Sequence, residues 1–366
     1  MTTTTAQTGL TPQQWDDKFF TSYVRAHIFS PYMGMSEYDM IQVKQDLTKK
    51  NGDSVTYALV NDLTGSGVTG NTALVGAEEA LMSRSFKVSV GLFRHAVTLH
   101  EWDEQKSTID LRNAARAQLR SWSMKKMRTD IINAMGSING ILYQTGNGNG
   151  TSGSSEAQKD TWLVDNTDRV LFGAVLSNHT TDHSAALGNI DNTADKLTYD
   201  VVSLAKRRAK LASPAIRPIE LASGEEYFVM FANSISFRDL KSSLATIHQN
   251  AQPRSNANPL FHDGDLMYDG VIIREVPEIA VEGATGAGSI QVAPSYLCGA
   301  QAVALAWAQR TTTRTDATDY GAQNGVAIQE IRGVRKMVFG KQSGVDVGDL
   351  VDHGVFTLFN AAVADA

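Results

Sequence analysis

The sequence predicts an α+β protein, because an early pair of extended segments, one long helix and a late series of strands follow one another without regular β-α-β alternation. Three observations carry this reading. Val55, Tyr57 and Leu59 alternate with smaller residues, and Phe86, Val88, Val90 and Leu92 repeat the period-two pattern. Leu111, Ala115, Leu119, Trp122, Met127, Ile131 and Met135 recur at helical spacing. Apolar runs at Tyr227 to Ala232, Tyr296 to Trp307, Val326 to Phe339 and Val355 to Phe359 then read as buried strands.

From the start of the chain, the Thr-rich residues 1 to 5 read as a mobile terminus. Thr11-Pro12 opens a capped helix running towards Arg25, and Ser30-Pro31 to Gly34 breaks it. Residues 53 to 99 form an extended arm, whose two strands are separated by Asn61 to Ser83. That connection is too long for a tight turn, and loops beyond roughly 12 to 15 residues are functional or disordered as a rule. A lone two-stranded hairpin is marginal in water, so the arm is expected to rest on another surface.

Ser107 and Asp110 start a helix that runs to Gly136, roughly 45 Å at about 1.5 Å per residue. Arg112, Arg116 and Arg120 repeat at i+4, followed by Lys125, Lys126 and Arg128, so one face of the helix is cationic. A solvated face, a polyanion or acidic residues of a neighbour would each suit it; Glu101, Asp103 and Glu104 are candidates for the last. Gln144 to Ser155 reads as a flexible surface loop.

A second unit begins near Asp195. Leu197 to Leu211 reads as a helix that ends at the Ser213-Pro214 and Arg217-Pro218 breaks. After the strand at 227 to 232 come a short helix over Ser234 to Ser242, a polar loop over Gln249 to Pro259, and a hairpin over Asp265 to Pro277 that turns at Asp269-Gly270. The Thr-rich segment 311 to 319 reads as a loop.

With 366 residues, 42% of them hydrophobic and 20% charged, the chain can bury a substantial core in two subdomains. A net charge of -6 argues against nucleic-acid binding over the whole surface but leaves room for one basic face. The single Cys298 excludes an internal disulfide or a multi-cysteine zinc site, and its apolar flanks point to a buried thiol. No secretory signal or membrane-length apolar run is present, so a cytoplasmic site of synthesis is expected.

Phosphate-binding loops, the nucleophile elbow and the His-Glu-x-x-His motif are absent, and the glycines at 283 to 288 suit turns. His179 and His183 have ligand spacing, but their Asn, Thr and Asp flanks indicate a loop. Asp316 and Asp319 fall short of a calcium site. No nucleophile can be paired with a histidine by spacing, and the reading is of a non-enzyme without metal or cofactor.

The order of these features resembles the major capsid proteins of tailed bacteriophages, in the group typified by coliphage N-four. The likeness is carried by Thr8 to Phe20, Phe29 to Gly34, Gly52 to Val60, Leu63 to Gly70, Glu104 to Ser107 and Ile109 to Arg112. Leu297 to Trp307, Asp319 to Gly321 and Ile331 to Lys336 continue it; 140 to 195 is the part least alike.

The resemblance implies the Hong Kong 97-type capsid fold. Residues 1 to 46 would be the N-terminal arm, 47 to 102 the extended loop, 103 to 195 and 321 to 366 the peripheral domain with its spine helix, and 196 to 320 the axial domain. It implies self-assembly as pentamers and hexamers into the icosahedral head of a tailed phage, built in the host cytoplasm around double-stranded DNA. Scaffolding and portal proteins, and decoration or cement proteins, are the implied partners, with no membrane.

Tyr57, Leu59, Val68, Leu74, Phe86 and Val88 would pack the extended loop on a neighbour; Trp15, Phe19 and Phe20 would hook another subunit; Arg112, Arg116 and Arg120 would face the lumen and its DNA. The competing reading for each contact residue is the core of its own subunit. Residues 51 to 86 contain no lysine, which removes a lysine cross-link from the loop tip. The likeness beginning near Thr11 leads to the expectation of a separate scaffolding protein. A cellular nanocompartment shell of the same fold is the alternative.

Overall fold

The computed structural model describes residues 28–48, 52–60, 67–71, 73–76, 78, 83–106, 111–144, 153–220, 224–250, 261–262, 265–340 and 350–364; of 244–250, 261–262 and 265 only the backbone is described. In chain order the strands begin with β1 (Met33–Gly34), β2 (Ile41–Lys44), β3 (Ser54–Val60), β4 (Ser83–Ser89) and β5 (Gly91–His100). Helices α1 (Glu101–Lys106), α2 (Leu111–Gly136) and α3 (Glu156–Asp165) follow, then β6 (Val170–Phe172), α4 (His183–Gly188) and α5 (Tyr199–Leu211). Next come β7 (Ile219–Glu220), β8 (Glu226–Ala232), α6 (Ser234–Asn250), β9 (Phe261–His262), β10 (Asp265–Tyr268), β11 (Val271–Glu275), β12 (Glu282–Ala284) and β13 (Gln291–Cys298). The chain closes with β14 (Val303–Thr318), β15 (Gln323–Lys336), β16 (Val338–Gly340), β17 (Leu350–Asp352) and β18 (Val355–Ala361).

Two compact units share these elements. The first comprises Met1–Val55, Val88–Met135 and Val303–Arg335; the second comprises Thr56–Lys87, Gly136–Ala302 and Lys336–Ala366.

In the first unit a five-stranded sheet runs in the order β1-β2-β14-β15-β5. β15 pairs antiparallel with all ten residues of β5, from Gln323 opposite His100 to Arg332 opposite Gly91. Helix α2 covers one sheet face with Ala115, Leu119, Ser123, Met127 and Ile131, buried at a spacing of four. Leu119 and Trp122 meet Val97 of β5 and Val326 and Ile328 of β15. Arg332 then rivets helix to sheet. Its Nη2 donates to Asp130 at 2.6 Å, its Nε donates to Glu330 at 2.9 Å, and its guanidinium lies 4.6 Å from the centre of the Phe93 ring. Such a fully buried charge is tolerable only because both carboxylates and the ring face are supplied.

The second unit is built on a nine-stranded sheet whose main path is β6-β18-β13-β8-β11-β10-β9, with β12 on β13 and β7 on β8. Both faces are covered, so β18 is buried at every position. Phe356 and Leu358 join Val201, Val202, Ala205, Phe237 and Leu240 of α5 and α6. Phe359 and Ala361 point the other way, to Trp162 and Leu163 of α3 and Ala186 and Leu187 of α4.

The buried ends of this unit are closed by ions. Lys336 Nζ donates to Asp352 Oδ2 at 2.7 Å, and the Trp162 indole donates to the same oxygen at 3.1 Å. Arg169 donates to the Asp352 carbonyl at 2.7 Å and also to the Pro214 carbonyl.

Several elements depart from the sequence reading. The 311 to 319 segment is not a loop: β14 continues through it to Thr318, because β-branched threonines suit a ladder, and the Thr311 hydroxyl donates to buried Glu330 at 3.2 Å. The single strand expected over Tyr296 to Trp307 is two strands in different sheets, split at Gly299 to Ala302 where Gln301 takes φ 53°. The helix from Ser234 runs on to Asn250 instead of stopping at Ser242. Val326 to Phe339 divides at Met337 into β15 and β16. Within the expected arm only β3 and β4 form the two-stranded sheet; Leu92 lies on β5, in the five-stranded sheet. Helix α2 is described from Leu111, and the expected cap residues Ser107 and Asp110 lie outside the described residues, as do the expected helix over Thr11 to Arg25 and most of the 249 to 259 loop.

Candidate assembly surfaces

The β3–β4 hairpin has one inward and one outward face. Val55, Tyr57, Phe86 and Val88 are buried, while Thr56, Ala58, Ser85 and Lys87 are exposed, as alternation demands. The Phe86 ring lies 6.0 Å from Phe339, which is itself 5.1 Å edge-on from His353. Tyr57, Phe86 and Val88 therefore already have apolar company in their own subunit. Leu59 and Val68 are half-buried, and Leu74 and Val75 are 62% and 88% exposed. The connection over 61 to 82 contains Asp62, Glu78 and Glu79 and no lysine, arginine or histidine. Trp15, Phe19 and Phe20 lie outside the described residues.

The arginine row on α2 sits on the flank of the helix, half-buried, while Asn113, Ala114, Ala117 and Gln118 occupy the exposed crest. Arg112 Nη2 pairs with Glu104 Oε2 at 3.3 Å, so that acidic residue has a partner within its own chain. Arg116 donates to the Asn113 side chain at 3.2 Å. Lys126 pairs with Asp130 at 3.0 Å. The cationic face is thus partly neutralised locally, which sequence spacing could not reveal.

One surface escaped the sequence reading. On β5 the residues Phe93, His95 and Val97 turn to α2; the His95 ring lies 4.7 Å from Trp122. Leu92, Arg94, Ala96, Thr98 and His100 consequently turn to the opposite face, and all five are exposed. Across the ladder they meet Ile331, Gln329, Ala327, Gly325 and Gln323. Thr312 bonds the Gln329 carbonyl at 3.3 Å, and alternation from it places exposed Arg314 on this face and Asp316 at its far end. Neither Arg94 nor Arg314 has an ion-pair partner among the described residues. The result is an open, mildly apolar sheet face with two unopposed arginines. Its signal was legible in the alternation of Gly91 to His100, once that segment is taken out of the hairpin.

Among the described residues no cluster of three His, Cys, Asp or Glu side chains has metal-binding geometry. His183 starts α4 behind an Asp182 cap that accepts from the Ala185 amide at 2.9 Å, so this stretch is a helix start and not the loop expected. Cys298 is buried, and burial pushes its thiol well up.

The family described as phage capsid protein matches residues 3–364, nearly the whole chain. This chain belongs to that family. The capsid protein is 26% identical over 366 residues to the major capsid protein of Pseudomonas phage KPP25, covering 95% of this chain and 94% of the relative. It is similar to the chain in the cyanophage Pam1 capsid asymmetric unit, with 35% identity, a TM-score of 0.79 and coverage of 94% of each chain. The capsid of Ralstonia phage GP4 gives a TM-score of 0.71 at 20% identity, over 93% and 92% of the two chains. The fold of the capsid protein is the Hong Kong 97-type α+β fold, and its function is that of a phage major capsid protein. The nanocompartment alternative falls behind this reading, since the family and the named relatives are phage capsid proteins.

Proposed function

We propose that this capsid protein closes into an icosahedral head by laying its extended loop on the open sheet face of a second copy, as pentamers and hexamers around double-stranded DNA. The observation that carries the proposal is the complementarity of the two surfaces. The loop offers exposed Leu74 and Val75 beside Glu78, with Leu59 and Val68 half-buried at its base. The sheet offers Leu92 and Ile331 beside Arg94 and Arg314. Apolar burial supplies the affinity and opposite charge the register. Tyr57, Phe86 and Val88 brace the hairpin from beneath, so their contribution to the contact is to hold its shape.

The assignment of 1 to 46, 47 to 102, 103 to 195, 196 to 320 and 321 to 366 to arm, extended loop, peripheral, axial and returning peripheral segments belongs to the same proposal. So do the hook through Trp15, Phe19 and Phe20, the placement of Arg112, Arg116 and Arg120 towards packaged DNA, and the scaffolding, portal and decoration partners. Assembly in the host cytoplasm and the absence of catalysis complete it. A half-buried arginine can still present its guanidinium to phosphate along the flank of a helix.

The test replaces residues 61 to 82 by a short Gly-Ser linker between Val60 and Ser83. The variant is expected to keep its far-ultraviolet circular dichroism and cooperative urea transition while electron microscopy finds no closed shells. Shells of normal diameter from the deleted chain would sink the proposal.

A further inference from the structure

The five-stranded sheet of the first unit ends on one side in the two-residue strand β1 and on the other in β5, which is ten residues long and pairs only with β15 among the described residues. The free side of β5 is a full-length open edge. Its backbone pattern follows from one bond at its end: the Glu101 amide donates to the Ala322 carbonyl at 2.9 Å, next to the pair His100–Gln323. Antiparallel ladders alternate hydrogen-bonded and non-hydrogen-bonded pairs. Gly91, Phe93, His95, Val97 and Leu99 therefore bond to β15, while Leu92, Arg94, Ala96, Thr98 and His100 aim their N–H and C=O groups outwards. The Thr312 hydroxyl agrees with this, since it reaches from β14 to the carbonyl of Gln329, the residue opposite Arg94.

Natural sheets protect such edges by shortness, lysine, proline, bulges or a covering element. β5 uses none of these: it holds no lysine or proline, its register with β15 is unbroken, and Arg94 is its one fixed charge. Not one of its residues is buried, whereas β15 buries Val326, Ile328, Glu330 and Arg332. An edge this long and flat is a template for another strand.

We propose that β5 pairs antiparallel with β5 of a second copy across a two-fold axis centred on Ala96, joining the two sheets edge to edge. Of the two-fold registers, only this one uses all five outward residues on both strands. It sets Ala96 against Ala96, Arg94 against Thr98 and Leu92 against His100 of the second copy. Moving the centre by one or two residues leaves outward amides unpaired, and a centre on Arg94 also opposes two guanidiniums. On the side facing α2, Phe93 meets Leu99 and His95 meets Val97 of the second copy. Trp102, 67% exposed just past β5, comes to the end of the second copy's strand at exposed Gly91, where no side chain competes for the space. The pairing extends the sheet sideways and leaves its open face free, so it stands apart from the loop contact proposed above. An icosahedral head has two-fold axes that can hold it.

The test places cysteines on the edge of the purified full chain, whose own Cys298 is buried. In Ala96→Cys the paired Cα atoms would stand about 5.5 Å apart, within disulfide range, whereas Arg94→Cys or Thr98→Cys alone sets its two copies about 14 Å apart. Mild oxidation should turn Ala96→Cys into a linked dimer on a non-reducing gel, leave each of the other two unlinked, and link those two when they are mixed. Thr98→Pro added to Ala96→Cys removes an outward amide and none that β15 uses, so far-ultraviolet circular dichroism should persist while the link is lost. The readout needs no closed shell, so failure of the pairing is distinct from failure of assembly. No link in Ala96→Cys, equal linkage at all three positions, or a link that survives Thr98→Pro overturns the pairing.

Discussion

At the scale of single residues, buried charge is the dominant theme of this capsid protein. Lys336 and Asp352 are each 1% exposed and satisfy one another at 2.7 Å. Asp352→Ala leaves an ammonium with no counter-ion and is expected to cost about 3 to 5 kcal/mol, whereas Lys336→Met with Asp352→Leu should cost about 1 to 3 kcal/mol, for the Trp162 indole N–H that loses its acceptor. Urea denaturation of the three chains measures both. His183 gives a pH dependence whose sign follows from linkage. Its folded pKa of about 4 lies below the unfolded value near 6.5, so the unfolded state binds the proton first and stability falls as pH drops between the two. The share of His183 in the fall from pH 7 to pH 4 should be about 3 kcal/mol, and His183→Gln should remove that share while leaving the one of buried His353, whose imidazole burial also holds down to about 4. An unchanged fall in His183→Gln would show that burial does not penalise this imidazolium.

At the scale of elements, α2 and its sheet act as one body. The helix has 26 described residues, roughly 39 Å at about 1.5 Å per residue. Leu119→Ala should cost about 2 to 5 kcal/mol, since the residue is 3% exposed among Val326, Ile328 and Val97. Replacing Arg112, Arg116 and Arg120 together by Gln removes only flank interactions and should change urea stability by about 1 kcal/mol or less. If those arginines meet DNA in the head, the same variant should form shells and retain less packaged DNA.

The β14–β15 hairpin supplies a contrast between two glycines. A Cβ on Gly333 would stand 2.2 Å from the Ser89 carbonyl oxygen, while one on Gly325 would meet nothing nearer than the Asp316 carbonyl at 3.5 Å. Gly333→Ala is expected to destabilise by about 1 to 3 kcal/mol and Gly325→Ala to stay within about 0.5 kcal/mol. Equal effects in calorimetry would mean that the backbone at Gly333 relaxes freely.

At the scale of the whole molecule, the proposed assembly contact can be tested by exchanging charge between its two sides. Arg94→Glu with Arg314→Glu should leave a folded chain that forms no shells under electron microscopy, and Glu78→Lys with Glu79→Lys added to it should restore them. Loss without restoration would point to a contact elsewhere on the molecule.

Much of this architecture is legible in the order of residues. Tyr227 to Ala232, the Asp269-Gly270 turn and the stripe from Ala115 to Ile131 announce themselves by period and by turn chemistry, which depend on near neighbours alone. The resemblance carried by segments from Thr8 to Lys336 fixed the family. What local pattern could not decide was which partner each strand takes. Gly91 to His100 reads as the tail of a hairpin until β15 pairs with it, and Thr311 to Thr318 reads as a loop until a ladder and buried Glu330 satisfy it. The same limit hides the flank position of Arg112, Arg116 and Arg120 and the meeting of Tyr143, His183 and Phe359, residues distant in sequence. Sequence by itself determined the family and those elements whose period and turn chemistry are local properties. Only the tertiary structure decided which faces are open and which charges are already matched, because burial and pairing are properties of residues brought together from far along the chain.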